Sequence, residues 1–308
     1  MKLTSILLFL LMTVTSYSQS NYERKAISVN DWIDGDLYIA QNHSEKLVII
    51  VAGSGPTDRN GNQPQIPNNS LKFLAEGLVQ NGINVYTFDK KIIKQMLQPD
   101  FDESKLLFED MVNDVQEIVE FFKKEKKYKN IYLIGHSEGS LVSILAAQKS
   151  NVSGLISIAG TAQSIDRILS QQIAQQAPFL SEETNQILEQ LKSGKLMDKI
   201  HPMLEPIFRK SVQPYLISWM KYSPIEEIQK LNCPILILHG NKDLQVTIEE
   251  AKELHKVYPK SKIEIFDNMN HILKDISGDT NENMASYSNP DLPVNAELIV
   301  SITNFIEQ

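Results

Sequence analysis

The stretch that most limits what this chain can become is Ile131-Tyr-Leu-Ile-Gly-His-Ser-Glu-Gly139, followed at once by Leu141-Val-Ser-Ile-Leu-Ala-Ala147. Apolar residues of strand length lead into a Gly-x-Ser-x-Gly turn, and an apolar run of helical character leaves it. That is the strand, turn and helix order of a nucleophile elbow, in which a serine is held on a very sharp turn. The turn crowds the residues two positions either side of the serine. Gly135 and Gly139 lack the Cβ that would not fit there.

A strand followed directly by a helix sets an expectation for the rest of the chain, and alternation of the two is what the pattern shows. Lys46-Leu-Val-Ile-Ile-Val-Ala52 is a continuous apolar run, as for a strand buried on both faces. It ends in the turn-rich loop Gly53-Ser-Gly-Pro-Thr-Asp-Arg-Asn-Gly-Asn62. Leu71–Gln80 has helical spacing and stops at Asn81-Gly82, before a strand over 83–88. The apolar residues at 108, 111, 112, 115, 118, 119 and 122 trace one helical face. Further strands are read at 152–159, 234–238 and 262–266, with helices at 248–258 and 294–306. Near the start, a linker and first strand over about 22–30 precede Asp34-Gly35, a hairpin-turn candidate before a strand at 36–40. The fold class is therefore α/β, a mostly parallel sheet with helices on both faces. Residues 161–223 break the alternation. They are helical in character, hold Pro178, Pro202, Pro206 and Pro214, and show no strand. They read as a helical cap inserted into a core made of 19–160 and 224–308.

The chain has 308 residues, 42% of them hydrophobic, enough for a full core. Its net charge is −8, and its longest basic run, Lys123-Lys-Glu-Lys-Lys127, ends a helix-like segment where cations complement the helix dipole. No nucleic-acid footprint is present. Met1-Lys2, the apolar Ile6-Leu-Leu-Phe-Leu-Leu-Met12 and the small-x-small Ser16-Tyr17-Ser18 describe a signal peptide over 1–18, cut between Ser18 and Gln19. The expectation is export, to a periplasm or outside the cell. No apolar run is long enough for a stable membrane anchor. Cys233, the single cysteine, cannot pair within the chain and reads as a core residue of its strand. Nothing in the sequence sets an oligomeric state.

A serine hydroxyl needs a base to take its proton, and the base needs a third group to orient it. With an elbow of this kind the order is serine, acid, histidine, the last two following later strands. The strand 234–238 runs into His239-Gly-Asn-Lys-Asp243, and the strand 262–266 into Asp267-Asn-Met-Asn-His271. Ser137, Asp243 and His271 thus fall at the carboxyl ends of their strands, the edge where open α/β sheets place their sites. Asp267 is the rival acid. His43, His201 and His255 lie in the wrong segments, His136 is within the elbow, and His239 is at a strand end. The oxyanion of an acyl-transfer reaction needs backbone donors. The amide of Glu138 is one, and the loop Gly53-Ser54-Gly55 supplies the other, assigned to Ser54. There is no His/Asp cluster with metal-ligand spacing.

Taken together, these residues resemble the α/β-hydrolase superfamily over nearly the whole chain. Ala52-Gly-Ser-Gly-Pro-Thr-Asp-Arg-Asn-Gly-Asn62 with Gly-His-Ser-Glu-Gly is similar, more narrowly, to the EstD-like esterases and the serine aminopeptidase-type hydrolases. The resemblance implies a sheet of about eight strands, a helical cap after the sixth, and hydrolysis of short acyl esters without a cofactor. It carries the nucleophile onto Ser137, the acid onto Asp243 and the base onto His271. The chain departs from such proteins after the strand-four aspartate, where Asp89-Lys-Lys-Ile-Ile93 replaces the usual Lys-Arg-Gly turn. Two other functions fit the same residues: an aminopeptidase or amidase, with the Glu138 carboxylate holding a substrate amine, or an inactive hydrolase fold used for binding. The expected partner is a small-molecule ester or amide.

Overall fold

The computed structural model describes residues 22–42 and 44–308. The segment read as a signal peptide and His43 lie outside them. The strands are β1 (Tyr22–Ser28), β2 (Asp34–Ala40), β3 (Lys46–Val51), β4 (Asn84–Phe88), β5 (Asn130–His136), β6 (Gly154–Ile158), β7 (Ile235–Gly240) and β8 (Lys262–Phe266). They form one eight-stranded sheet in the order β1-β2-β4-β3-β5-β6-β7-β8. β2 is antiparallel to both its neighbours, and every pairing from β4 to β8 is parallel. The central strands are apolar on both faces, and helices cover both. On one side α1 (Ser70–Gln80) packs Leu74 and Leu78 on Val48 and Ile50. On the other, the short α2 (Ile92–Gln95) leads to α3 (Phe108–Lys124), which sets Val115, Ile118 and Phe122 against Ile49 and Leu133. α4 (Glu138–Lys149) continues β5.

Between β6 and β7 the chain makes α5 (Ile165–Gln176), α6 (Ser181–Lys192), α7 (Glu205–Phe208), α8 (Gln213–Trp219) and α9 (Pro224–Ile228). α5 to α8 gather an apolar cluster of their own, including Leu169, Ile187, Leu191, Phe208 and Leu216. α10 (Ile248–Val257), α11 (Thr280–Ser286) and α12 (Ala296–Glu307) complete the chain. Among the described residues, no helix is long and apolar enough to cross a membrane.

The hairpin turn is displaced from its expected position. Asp34-Gly35 lies inside β2, paired with Ser28 and Ile27, and the turn is Val29–Ile33. Asn30 closes it, its Oδ1 accepting from the amides of Trp32 and Ile33 at 2.8 and 2.9 Å. Gly35 is present for packing instead, since a Cβ there would overlap the Thr87 carbonyl and the Tyr86 ring. Two short helices, α2 and α11, carry no readable periodicity at four and seven residues.

Candidate active site

Ser137 has φ 54° and ψ −121°, a region rarely occupied by residues with a Cβ. The geometry is enforced from both sides. A Cβ on Gly135 would overlap the backbone of Gly139, and one on Gly139 would overlap the carbonyls of Val51 and Ala52. The Ser137 amide donates to Ile158 O at 2.9 Å, tying the turn to β6. Ser137 thereby stands ahead of the first turn of α4, where helix N–H groups have no acceptor within the helix.

The loops after β7 and β8 meet at this turn. Asn241 N donates to Phe266 O at 2.8 Å and Lys242 N to Met269 O at 3.0 Å. Gly240 passes so close to Met269 that a Cβ would overlap its carbonyl. These bonds bring His271 Nδ1 to 2.7 Å from Asp243 Oδ2 and His271 Nε2 to 3.2 Å from Ser137 Oγ. Asp243 Oδ1 accepts from the amides of Gln245 and Val246 at 2.7 and 2.9 Å. Burial alone would raise the Asp243 pKa, but His271 foremost, with His239 and the Val246 amide, holds the carboxyl below its ordinary value. Of the other candidates, Asp267 is exposed and His255 bonds Ser261 Oγ at 2.8 Å. His201 sits just before α7. His136 and His239 are structural neighbours. His136 Nε2 donates to His271 O at 2.7 Å, and burial lowers its pKa to about 4, so it is neutral. His239 Nε2 donates to Val246 O at 2.9 Å and lies 3.5 Å from Asp243 Oδ2.

The glycine-rich loop after β3 forms the opposite wall. Asp58 Oδ1 accepts from the amides of Asn60 and Asn62, both at 2.8 Å, which curls the loop. Arg59 clamps it to the sheet: its Nη2 meets Asp89 Oδ2 at 2.6 Å, its Nε meets Asp89 Oδ1 at 3.1 Å, and its Nη1 meets Asp36 Oδ1 at 3.0 Å. The bond to Asp89 raises the guanidinium pKa further. At the tip, Gln63 Nε2 donates to Ser54 O at 2.7 Å, and Lys90 Nζ donates to Gly53 O at 2.9 Å. Gly53 abuts the elbow, since a Cβ on it would lie 3.1 Å from Ser137 Cβ. Ser54 is exposed at the rim and Glu138 is buried at the start of α4.

The departure after Asp89 also has a local explanation. Ile92, at the position of the missing glycine, starts α2 in right-handed helical backbone that any L residue adopts, following Lys91 at φ −49° and ψ −34°.

A cavity of about 470 Å³ opens from Ser137 between the sheet edge and the inserted helices. Leu141, Ile165, Leu169, Leu216 and Trp219 give it an apolar lining, with Asp114 and Lys91 among the polar groups. Sequence reasoning missed three residues here. Lys90, five per cent exposed, faces the elbow, 3.4 Å from Glu138 Oε2. Tyr215, on α8, donates its hydroxyl to Glu138 Oε1. Asp114, on α3, has its pKa raised to about 6 by burial, against the lowering effect of Lys91. Lys90 could have been found from its place just beyond β4, at the same sheet edge as Ser137. Tyr215 carried no signal, because its contact spans 77 residues. Among the described residues, no group of His, Cys, Asp and Glu side chains is arranged to hold a metal ion.

The arrangement pairs an alcohol with an imidazole and the imidazole with a carboxylate, a geometry suited to acyl transfer. A family model described as BD-FAE matches residues 35–258. The chain is 28% identical over 296 residues to the esterase EstD of Thermotoga maritima, covering 91% of this chain and 68% of that protein. Est1E from Butyrivibrio proteoclasticus is similar in structure with a TM-score of 0.56 and 18% identity, over 92% of this chain and 99% of that one. The Pyrococcus furiosus esterase Pf2001 gives 0.55 and 15%, over 93% and 90%. At such identities the structural likeness speaks for the fold.

Proposed function

The chain belongs to the BD-FAE family and has the α/β-hydrolase fold, and from that premise we propose a serine carboxylesterase acting through Ser137, His271 and Asp243. The observation that carries the reading is the unbroken line of hydrogen bonds from Ser137 Oγ through His271 to Asp243. A carboxylesterase-type hydrolase is also what the likeness to EstD supports.

In this reading His271 Nε2 takes the Ser137 hydroxyl proton as Oγ attacks the ester carbonyl. Asp243 holds the Nδ1–H tautomer and stabilises the imidazolium that forms. The tetrahedral oxyanion is met by the amides of Ser54 and Glu138, donors whose loss costs about 10²–10³ in turnover in comparable sites. The intermediate collapses as His271 returns the proton to the alcohol oxygen, which leaves. Water, deprotonated by the same imidazole, then attacks the acyl-enzyme, and the acid departs with Ser137 restored. The apolar cavity of about 470 Å³ has room for a short acyl chain and a modest alcohol group.

The aminopeptidase alternative is disfavoured by the Glu138 carboxylate, which is already bonded by Tyr215 and Lys90 and has no exposed face to offer a substrate amine. The deciding experiment sets aryl esters of graded acyl length against aminoacyl anilides, with Ser137→Ala as control. The expected outcome is ester turnover that peaks at short chains and is abolished by S137A, together with fluorophosphonate labelling of Ser137. Anilide turnover above ester turnover would overturn the ester assignment, and undiminished S137A activity would overturn the mechanism. Residues 1–18 are proposed to direct export, which the amino-terminal sequence of the exported protein tests: it should begin at Gln19, and an intact Met1 would refute cleavage.

A further inference from the structure

We propose that Lys90 is a positioning residue for this esterase: it holds the Gly53–Ser54 peptide so that the Ser54 N–H faces the oxyanion, and Glu138 and Tyr215 hold Lys90 in that role. The proposal rests on the carboxylesterase reading above.

In a trans peptide the C=O and N–H point in opposite directions. Lys90 Nζ donates to Gly53 O at 2.9 Å, so the carbonyl is drawn toward the ammonium and the Ser54 N–H away from it. Gly53 packs directly against the nucleophile, within 3.1 Å of Ser137 Cβ by the position of its missing Cβ, so a rotation of this peptide is felt at the reacting atom. The next carbonyl along, Ser54 O, accepts from Gln63 Nε2 at 2.7 Å and Thr57 Oγ1 at 3.2 Å, which fixes the far side of Ser54. Of these two carbonyls, Gly53 O is the one held by a charged donor. A cation on that carbonyl also polarises the shared peptide and strengthens its N–H as a donor.

A buried ammonium needs a counter-charge, and Glu138 Oε2 is 3.4 Å away. The lysine is nearer the carbonyl than the carboxylate, so pairing with Glu138 does not exhaust its contacts. Glu138 is in turn held by the Tyr215 hydroxyl, which comes from α8 of the inserted helices. Tyr215 is fixed by its edge contacts with Phe108 and Trp219, at ring distances of 6.1 Å each. The seating of α8 is thereby linked, through one carboxylate and one ammonium, to the loop proposed to bind the oxyanion.

The test compares wild type with Lys90→Met on a short-chain aryl ester and measures inhibition by an alkyl boronic acid, which adds to Ser137 Oγ as a tetrahedral anion. In Lys90→Met, kcat is expected to fall by about 10²–10³, the effect of a lost oxyanion donor. KM should change less than threefold, and boronate affinity should weaken in parallel with kcat. An unchanged kcat, or a kcat loss with undiminished boronate affinity, would overturn the proposal. Should Lys90→Met fail to fold, Tyr215→Phe carries the test. It removes one oxygen, keeps the ring packing and leaves Glu138 free to draw Lys90 off Gly53 O. Turnover and boronate affinity should then fall together by about three- to tenfold, and wild-type values of both would refute the link. Because wild type must hydrolyse the ester for any ratio to be read, failure of the esterase reading shows first, as absent wild-type turnover.

Discussion

Asp114→Asn should stabilise the protein, and should do so more as the pH rises. The carboxyl lies on α3 at the cavity wall with 13% of its side chain exposed. Desolvation raises its pKa from 3.8 to about 6, with Asp110 and Glu117 adding to the rise and Lys91, 4.0 Å away, opposing it. Because the folded value lies above the unfolded one, the folded state binds the proton more tightly. The benefit of a neutral Asp114 is present below about pH 3.8 and is lost as the pH climbs through about 6. At about 1.36 kcal/mol per pH unit between the two values, the ionised side chain costs folding about 3 kcal/mol at pH 8, falling to about 1 kcal/mol at pH 4.5. Asparagine keeps the shape and removes the charge. Urea unfolding at the two pH values reads the difference, and a gain of this size should raise the midpoint by about 1 M at pH 8. A gain equal at both pH values, or a variant less stable than wild type at pH 8, would refute the account.

Asp243→Asn should leave the fold intact, since the amide can still accept from the Gln245 and Val246 backbone, yet lower kcat on an aryl ester by about 10⁴ through the wrong His271 tautomer. A loss below tenfold would remove Asp243 from the mechanism. Gly139→Ala should destabilise by at least about 1–3 kcal/mol in urea unfolding, because the new methyl would overlap the Val51 and Ala52 carbonyls, which are backbone and cannot step aside. Wild-type stability in that variant would contradict the packing described for the elbow.

Much of this architecture was legible because the innermost strands of the parallel sheet are apolar runs, α1 and α3 each show a 3.6-residue stripe, and α4 is apolar on every side. β3, α3 and the β5–α4 unit announce themselves in this way. Strand ends also locate the site edge, which is why Ser137, Asp243 and His271 could be nominated before any distance was known. The Asp34-Gly35 turn was misplaced because a glycine reads locally as a turn former, whereas here it answers to the Tyr86 ring lying across β2. The glycine that the resembling proteins carry in the turn after the strand-four aspartate is unnecessary here because the backbone at Ile92 is helical.

Sequence alone determined the longer elements, their alternation and the strand ends at which the candidate site residues stand, because hydrophobic period and turn composition are local properties. Only the tertiary structure decided how those ends converge. It set His271 Nε2 3.2 Å from Ser137 Oγ, and it turned Glu138 from a possible amine ligand into the partner of Lys90 and Tyr215. Those contacts join residues 48 to 134 positions apart. A buried charge or a strained serine is stable only when such distant groups satisfy it together, and no local pattern records which groups they will be.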